Sequence, residues 1–466
     1  MNAALHIGHA LEFVRADAVA RLRMLKGDDV FFNTGTDEHG QKIYTKALES
    51  GKDPQSFVDE AYAVFRNQVQ AFGVTDAVHF VRTTDAHHVA AAQEFWRRVD
   101  KNGYIYKKTY QAKYCVGCEE EKSESQLENG KCPLHPSLEL EIINEENYFF
   151  KLSAFQDKLL ALYESNPNLV IPAFRYNELK EFVARGLEDF SISRLKEKMS
   201  WGIPVPGDDT QVIYVWFDAL INYISTLGWP EDEATFTKYW VEGTPTQYCG
   251  KDNTRFQGLT WQAMLMAAGF PNTHKIVING FIVGEGGVRM SKSLGNVVDP
   301  YEVAQEYGTD ALSLFLLKEI SNFEDSPFTM ERFKEAYNAN LANGIGNLAS
   351  RILTLSEKYL AACPPIPEQS IPQHFFDLFD AYDLQGAVNY VWKEIQDLDK
   401  YIQETEAFKV IKTDEAKGRE LITEYVLRLY TIARMLNPLM PSTNATLKQL
   451  IRDNKKPETP LFARLP

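Results

Sequence analysis

Four metal-seeking side chains recur at short, regular intervals: Cys115-x2-Cys118, then thirteen residues, then Cys132-x2-His135. Two tight turns at that spacing can each aim two ligands at one point, which is the tetrahedral N/S arrangement of a structural zinc site. The surrounding chain is thereby committed to a compact knuckle. Four protein ligands leave no open position for water, so one Zn2+ is expected in a structural role; unrelated buried thiols are the competing reading. Five cysteines in 466 residues make no disulfide framework. Three of them in one short segment point instead to a reducing, cytoplasmic setting.

On either side of the knuckle the hydrophobic periodicity changes character. His9 to Lys26 places Leu11, Val14, Ala18, Leu22 and Leu25 on one helical face, and Gly27 stops the run. Val30–Asn33 reads as a short apolar strand that ends in a polar, glycine-bearing turn over residues 34–40. Pro54 then opens a helix towards Phe72. Such alternation predicts a parallel sheet whose ligands sit beyond the strand C-termini. At about Tyr106 it gives way to a strand-and-turn segment reaching residue 200. Strand signals return at Gln211–Phe217 and Lys275–Val283, so the first domain is interrupted and resumed. Beyond Phe328 the strands vanish. Met330–Tyr359, Phe376–Gln403 and Asp414–Leu436 read as long helices of an antiparallel bundle, with the Pro-rich Cys363–Pro372 as a loop.

A hydrophobic fraction of 44% with 12% aromatics excludes a disordered polyelectrolyte. No stretch approaches the twenty clean apolar residues of a membrane span, and no basic-then-apolar leader opens the sequence. The net charge of −15 disfavours generic duplex DNA as a partner. Its distribution is uneven. From Leu341 onward 15 basic side chains nearly balance 16 acidic ones, and the first 340 residues carry the rest of the deficit.

Two motifs carry phosphate chemistry. His6-Ile7-Gly8-His9 begins the first helix, where unsatisfied N–H groups, a glycine and two imidazoles suit a polyphosphate; capping or solvated histidines would look the same. Arg289-Met290-Ser291-Lys292-Ser293 follows a strand and Gly284-Glu285-Gly286-Gly287. Lys292 supplies a point charge fitted to an α-phosphate transition state, a reaction that needs only positioning and electrostatics. A basic-serine loop by itself is more often a surface turn. Asp37 could pair with a ligand ammonium or simply cap a turn. Trp216, Ala219, Leu220 and Tyr223 share a helical face that could wall an apolar pocket or pack in a core.

Taken together, His6-Ile7-Gly8-His9 and Met290-Ser291-Lys292-Ser293 resemble the paired signatures of class I aminoacyl-tRNA synthetases. Thr34-Gly35-Thr36-Asp37-Glu38-His39-Gly40-Gln41-Lys42 and Tyr214-Val215-Trp216-Phe217-Asp218-Ala219 are similar to blocks of the methionyl family within that class, and the resemblance spans essentially the whole chain. It implies an α/β Rossmann-like catalytic domain (residues 1–105 and 201–284) with an inserted zinc-knuckle connective domain (106–200). A mobile signature loop and linker (285–327) and an all-α anticodon-binding bundle (328–466) complete the expected layout. ATP, L-methionine and tRNA are the implied substrates, with Mg2+ accompanying ATP. His6, Gly8, His9, Gly250, Asp252, Lys292 and Arg194 would face ATP. Asp37 would hold the ammonium, and Trp216, Ala219, Leu220, Tyr223, Asn253 and Gln257 would form the methionine pocket. Asn347 and Arg351, one helical turn apart, would read the anticodon with Phe408. The alternatives are a nucleotidyltransferase acting without tRNA and a non-catalytic tRNA-binding relative.

Three departures qualify the resemblance. Where the family has Gly-Lys-Asp-Ile-x-x-Phe-His, this chain has Gly250-Lys251-Asp252-Asn253-Thr254-Arg255-Phe256-Gln257, so the pocket rim is more polar. Ala407-Phe408 stands where Pro-Trp is usual, giving a smaller stacking face. Only five residues precede His6, so the leading strand and its loop are expected upstream of Met1. The absence of an appended dimerisation module after the bundle leads us to expect a monomer.

Overall fold

In the computed structural model the described residues are 5–122, 126–288, 290, 297–367 and 371–466. The chain forms two compact units that take turns along the sequence. One comprises Phe31–Asn67 and Ala77–Ile278; the other gathers Leu5–Val30, Gln68–Asp76 and Asn279–Pro466.

In the first unit, Phe32–Thr36 pairs in parallel with Val78–Arg82. The strand therefore runs three residues further than the expected Val30–Asn33, and Thr34-Gly35-Thr36 belongs to the ladder instead of a turn. Gly35 is required by proximity: a Cβ there would overlap the Val81 carbonyl oxygen. A second parallel element joins Lys275–Asn279 to Val170–Ile171, with Thr246–Gly250 on its other side. The segment 106–200 thus also contributes a strand to a parallel sheet. Its own architecture is antiparallel: Ile105–Cys115 pairs along its length with Glu141–Phe150, flanked by Glu120–Lys122 and Phe190–Ser191. An aromatic core fills this unit. Phe95 lies at its centre, with ring centroids about 6 Å from Phe217, Trp229, Trp261 and Phe270.

Gln211–Phe217 does not stay a strand. Asp208–Ile213 is extended, and from Val215 the chain turns into two short helices, Val215–Ala219 and Asn222–Ser225. The apolar run is read as continuous because strand and helix are both buried here, which erases the periodicity that would separate them.

The second unit is helical. Glu415–Met435 packs against Asn347–Tyr359, Leu384–Thr405 and Pro441–Arg452, and Ile7–Lys26 packs against Thr309–Lys318. Two expected helices are subdivided. Phe376–Gln403 is broken between Gln373–Asp380 and Leu384–Thr405, where Tyr382 is left-handed (φ +59°) and Asp383 caps Gly386 N–H at 2.9 Å. Met330–Tyr359 turns π-helical over Tyr337–Gly346 and is kinked at Gly344, whose backbone is non-helical (φ −89°, ψ −110°). Arg15, 2% exposed, donates to Asn279 Oδ1 at 2.9 Å and to the carbonyls of Ser321 and Asn322 at 2.7 and 2.6 Å. It ties the first helix to the segment after Thr309–Lys318. No helix among the described residues is long and apolar enough to cross a membrane.

Candidate active site and metal centre

The helix Ile7–Lys26 opens with a reciprocal cap. His6 Nδ1 accepts from Gly8 N–H at 3.1 Å and His9 N–H at 3.4 Å, and His9 Nδ1 accepts from His6 N–H at 3.1 Å. The two rings stack at 3.7 Å. Because both Nδ1 atoms are acceptors, each neutral ring carries its proton on Nε2. Burial, then the neighbouring His6, depresses His9 to about 3, so it acts as a neutral donor at physiological pH. Capping and phosphate binding, alternatives at the sequence level, are compatible: Nδ1 holds the helix and Nε2–H can face a ligand. Lys292 lies outside the described residues; the preceding loop turns through Gly286 and Gly287, both at positive φ.

Asp37 follows the C-terminus of Phe32–Thr36, in the other unit. It is half-buried with its Oδ1 closed off from solvent, and desolvation followed by the nearby Glu119 carboxylate raises it to about 8. A cationic ligand would reverse that shift by favouring the ionised form. The turn around it is tightly held. Glu38 accepts from Thr36 Oγ1 at 2.6 Å and Arg82 Nε at 2.8 Å, its N–H donates to Thr83 Oγ1 at 3.0 Å, and its carbonyl accepts Trp201 Nε1 at 2.7 Å.

His39 Nδ1 meets Asp218 Oδ2 at 2.6 Å, and Asp218 Oδ1 meets His88 Nε2 at 2.7 Å. His88 continues to Ser225 Oγ at 2.8 Å. Burial alone would raise Asp218, but the His39 charge and the two imidazole bonds hold it low. For His39, burial is likewise outweighed by the Asp218 charge, and its pKa is raised. This buried triad locks the Asp37 turn to the helix carrying Trp216.

Trp216 stacks on Phe256 at 3.8 Å, and its Nε1 is buried with no hydrogen-bond partner among the described residues. Ala219 and Leu220 are buried beside it, and Tyr223 is half-buried. Gln257 is wired into a buried polar chain. Gln262 Oε1 accepts Thr273 N–H at 3.1 Å and its Nε2 donates to the Gln257 carbonyl at 2.9 Å, which fixes that amide's orientation. Direction then propagates: Gln262 Nε2 to Thr273 Oγ1, Thr273 Oγ1 to Gln247 Oε1, Gln247 Nε2 to Gln257 Oε1, and Gln257 Nε2 to the Tyr223 hydroxyl at 2.7 Å. The polar departure at 257 is thus fully hydrogen-bonded and holds Tyr223. Gly250 ends the strand Thr246–Gly250, and Asp252 and Asn253 lie in the helical turn beyond it, Asp252 exposed. Arg194 is neither exposed nor a surface ion pair. It is buried between the Tyr214 and Tyr114 rings at 4.7 and 5.1 Å and donates to Ser191 Oγ and the Ser193 carbonyl.

The knuckle closes as the spacing predicts. The ligand atoms of Cys115, Cys118, Cys132 and His135 lie within 4.8 Å of one another. Cys118 Sγ is 3.2 Å from His135 Nδ1 and 3.5 Å from Cys132 Sγ, and Cys115 Sγ is 3.8 Å from His135 Nδ1. Tetrahedral bonds of about 2.1–2.3 Å require ligand separations of about 3.5–3.8 Å. The donor set and its spacing therefore fit zinc.

The family model described as tRNA synthetases class I (M) matches residues 1–138 and 124–353. The methionine–tRNA ligase of Caldanaerobacter subterraneus is 41% identical over 455 residues, covering 94% of this chain and 70% of that protein. The chain belongs to the class I methionine–tRNA ligase family. The Thermotoga maritima member is 36% identical across 98% of this chain and 74% of its own. Among solved structures, the Mycobacterium tuberculosis methionyl-tRNA synthetase in complex with methionyl-adenylate superposes with a TM-score of 0.92 at 32% identity, covering 99% of this chain and 97% of that one.

Asn347 starts the helix Asn347–Tyr359 and is exposed. Arg351 is half-exposed and paired with Asp399, whose other oxygen accepts Gln403 Nε2 at 2.6 Å. Phe408 is 43% exposed on the short helix Ala407–Val410, so it is not a core side chain. Sequence reasoning missed Glu38, His39, His88 and Asp218. His39 and Asp218 stood inside the two family blocks, but nothing local showed that they meet.

Proposed function

We propose that this chain activates L-methionine with ATP and transfers it to tRNA. The methionine carboxylate attacks the α-phosphate of ATP, pyrophosphate leaves, and the methionyl adenylate is passed to the 3′-terminal adenosine. Asp37 holds the ammonium; Trp216, Ala219, Leu220 and Tyr223 form the side-chain pocket, with Asn253 and Gln257 at its rim. His6 and His9 donate Nε2–H to phosphate oxygens over Gly8, and Lys292 adds a positive charge as the transition state forms. Gly250 and Asp252 take the nucleoside side. Mg2+ accompanies ATP. Zinc, held by Cys115, Cys118, Cys132 and His135, supplies a structural clamp. Asn347, Arg351 and Phe408 meet the anticodon.

The observation that carries this reading is the Asp37 turn, a half-buried acid with one oxygen closed off from solvent, held just past a parallel strand and locked through His39 and Asp218 to the Trp216 helix. It supplies the ammonium half of an amino-acid site in a chain of this family. Amino-acid-dependent pyrophosphate exchange tests it across the standard amino acids. Methionine should be preferred despite Gln257; preference for another amino acid would overturn the substrate assignment. Charging of tRNA with labelled methionine separates a ligase from a nucleotidyltransferase that stops at the adenylate.

A further inference from the structure

The helix Gln41–Glu49 lacks a cap of its own. Its N-cap is Gly40, which has no side chain and makes no side-chain cap bond. A residue outside the helix fills the role: Lys42 N–H, in the first turn, donates to Glu119 Oε1 at 3.1 Å. Gly40 sits at φ +104°, and a Cβ there would overlap the same carboxylate, so the glycine makes room for it. Glu119 itself is left-handed at φ +53°, a conformation that costs energy for a non-glycine residue and persists only where the surroundings enforce it. The enforcing contacts are visible. Tyr214 donates its hydroxyl to the Glu119 carbonyl, and Glu119 directly follows the metal ligand Cys118.

We propose that Glu119 is a positioning residue for amino-acid binding, carried on the zinc knuckle, whose carboxylate caps the helix Gln41–Glu49 and so sets the turn that bears Asp37. Asp37 is three residues before Gly40, so a shift in the cap is passed directly to it. The knuckle is then more than a distant staple: its metal holds the residue that completes the amino-acid site. This inference rests on the assignment of Asp37 to the substrate ammonium.

Glu119→Ala and Glu119→Gln separate cap from charge, because glutamine keeps an acceptor oxygen. Three quantities are read on the full-length holoprotein: amide hydrogen exchange over residues 41–44, methionine and ATP KM in pyrophosphate exchange, and bound zinc. Glu119→Ala should speed exchange over 41–44 and raise the methionine KM about tenfold, with ATP KM and zinc content unchanged. Glu119→Gln should keep the exchange protection and raise the methionine KM less. Removing zinc from the wild-type chain should speed exchange at 41–44, yet add nothing in Glu119→Ala. Wild-type protection and methionine KM in Glu119→Ala would overturn the proposal. An unchanged methionine KM in Asp37→Ala would instead overturn the ammonium assignment, leaving the exchange data to judge the cap alone.

Discussion

Asp218 shows what one buried carboxylate holds in place. It accepts from two imidazoles at 2.6 and 2.7 Å with no exposed surface. Asp218→Asn would leave His39 buried beside a neutral amide, and breaking such a pair costs about 3–5 kcal/mol. A lowered melting temperature is expected. The pair also imprints a pH dependence. His39 is raised, so its contribution is complete below about pH 6.5 and lost as pH rises through its folded value; Asp218 is lowered, so its contribution is present above about pH 4 and lost on acidification. Stability from the pair is greatest between those limits, and Asp218→Asn should remove that maximum, lowering the melting temperature within the window and flattening its fall on either side. In the bundle, Arg351→Ala should raise the tRNA KM several-fold while leaving pyrophosphate exchange intact. Phe408→Ala should do the same by removing a stacking face worth about 1–3 kcal/mol per base; unchanged aminoacylation in either variant would remove that residue from anticodon reading.

Elements were legible wherever the signal was local. The knuckle ligands crowd one short segment, so their spacing sufficed. The helix Ile7–Lys26 announced itself by its apolar face and Gly27. What escaped were features decided by distant chain. The His39–Asp218 bond joins residues 179 apart and His88–Asp218 joins residues 130 apart. Gly35 looked like a turn glycine until its strand partner Val81 was in place. The break at Tyr382 was hidden because Asp383 caps a helix inside an otherwise apolar pattern. Arg15 escaped for the same reason, since a basic side chain on a helix reads as solvated until its acceptors at 279 and 320–322 are known. Arg15→Met should leave those acceptors unsatisfied, at about 1–3 kcal/mol for each buried group. A melting temperature several degrees lower, with the ATP KM raised more than the methionine KM, is the expected outcome.

At the scale of the whole molecule, zinc and the alternating path of the chain set the stability pattern. Chelation should first destabilise the knuckle and the ribbon Ile105–Cys115/Glu141–Phe150, because binding energy for structural zinc is folding energy. Limited proteolysis is then expected to cut within 115–140 before it cuts the bundle; an unchanged cleavage order would argue against a metal clamp. The interleaved units carry a further consequence, for synthesis. The helix Ile7–Lys26 leaves the ribosome well ahead of the acceptor residues for Arg15, which lie at 279 and 320–322. At about 5–20 residues per second, it waits on the order of 15–60 s for its partners. Its apolar face must be sheltered throughout that interval, which marks this protein as a candidate client for chaperones that hold nascent chains.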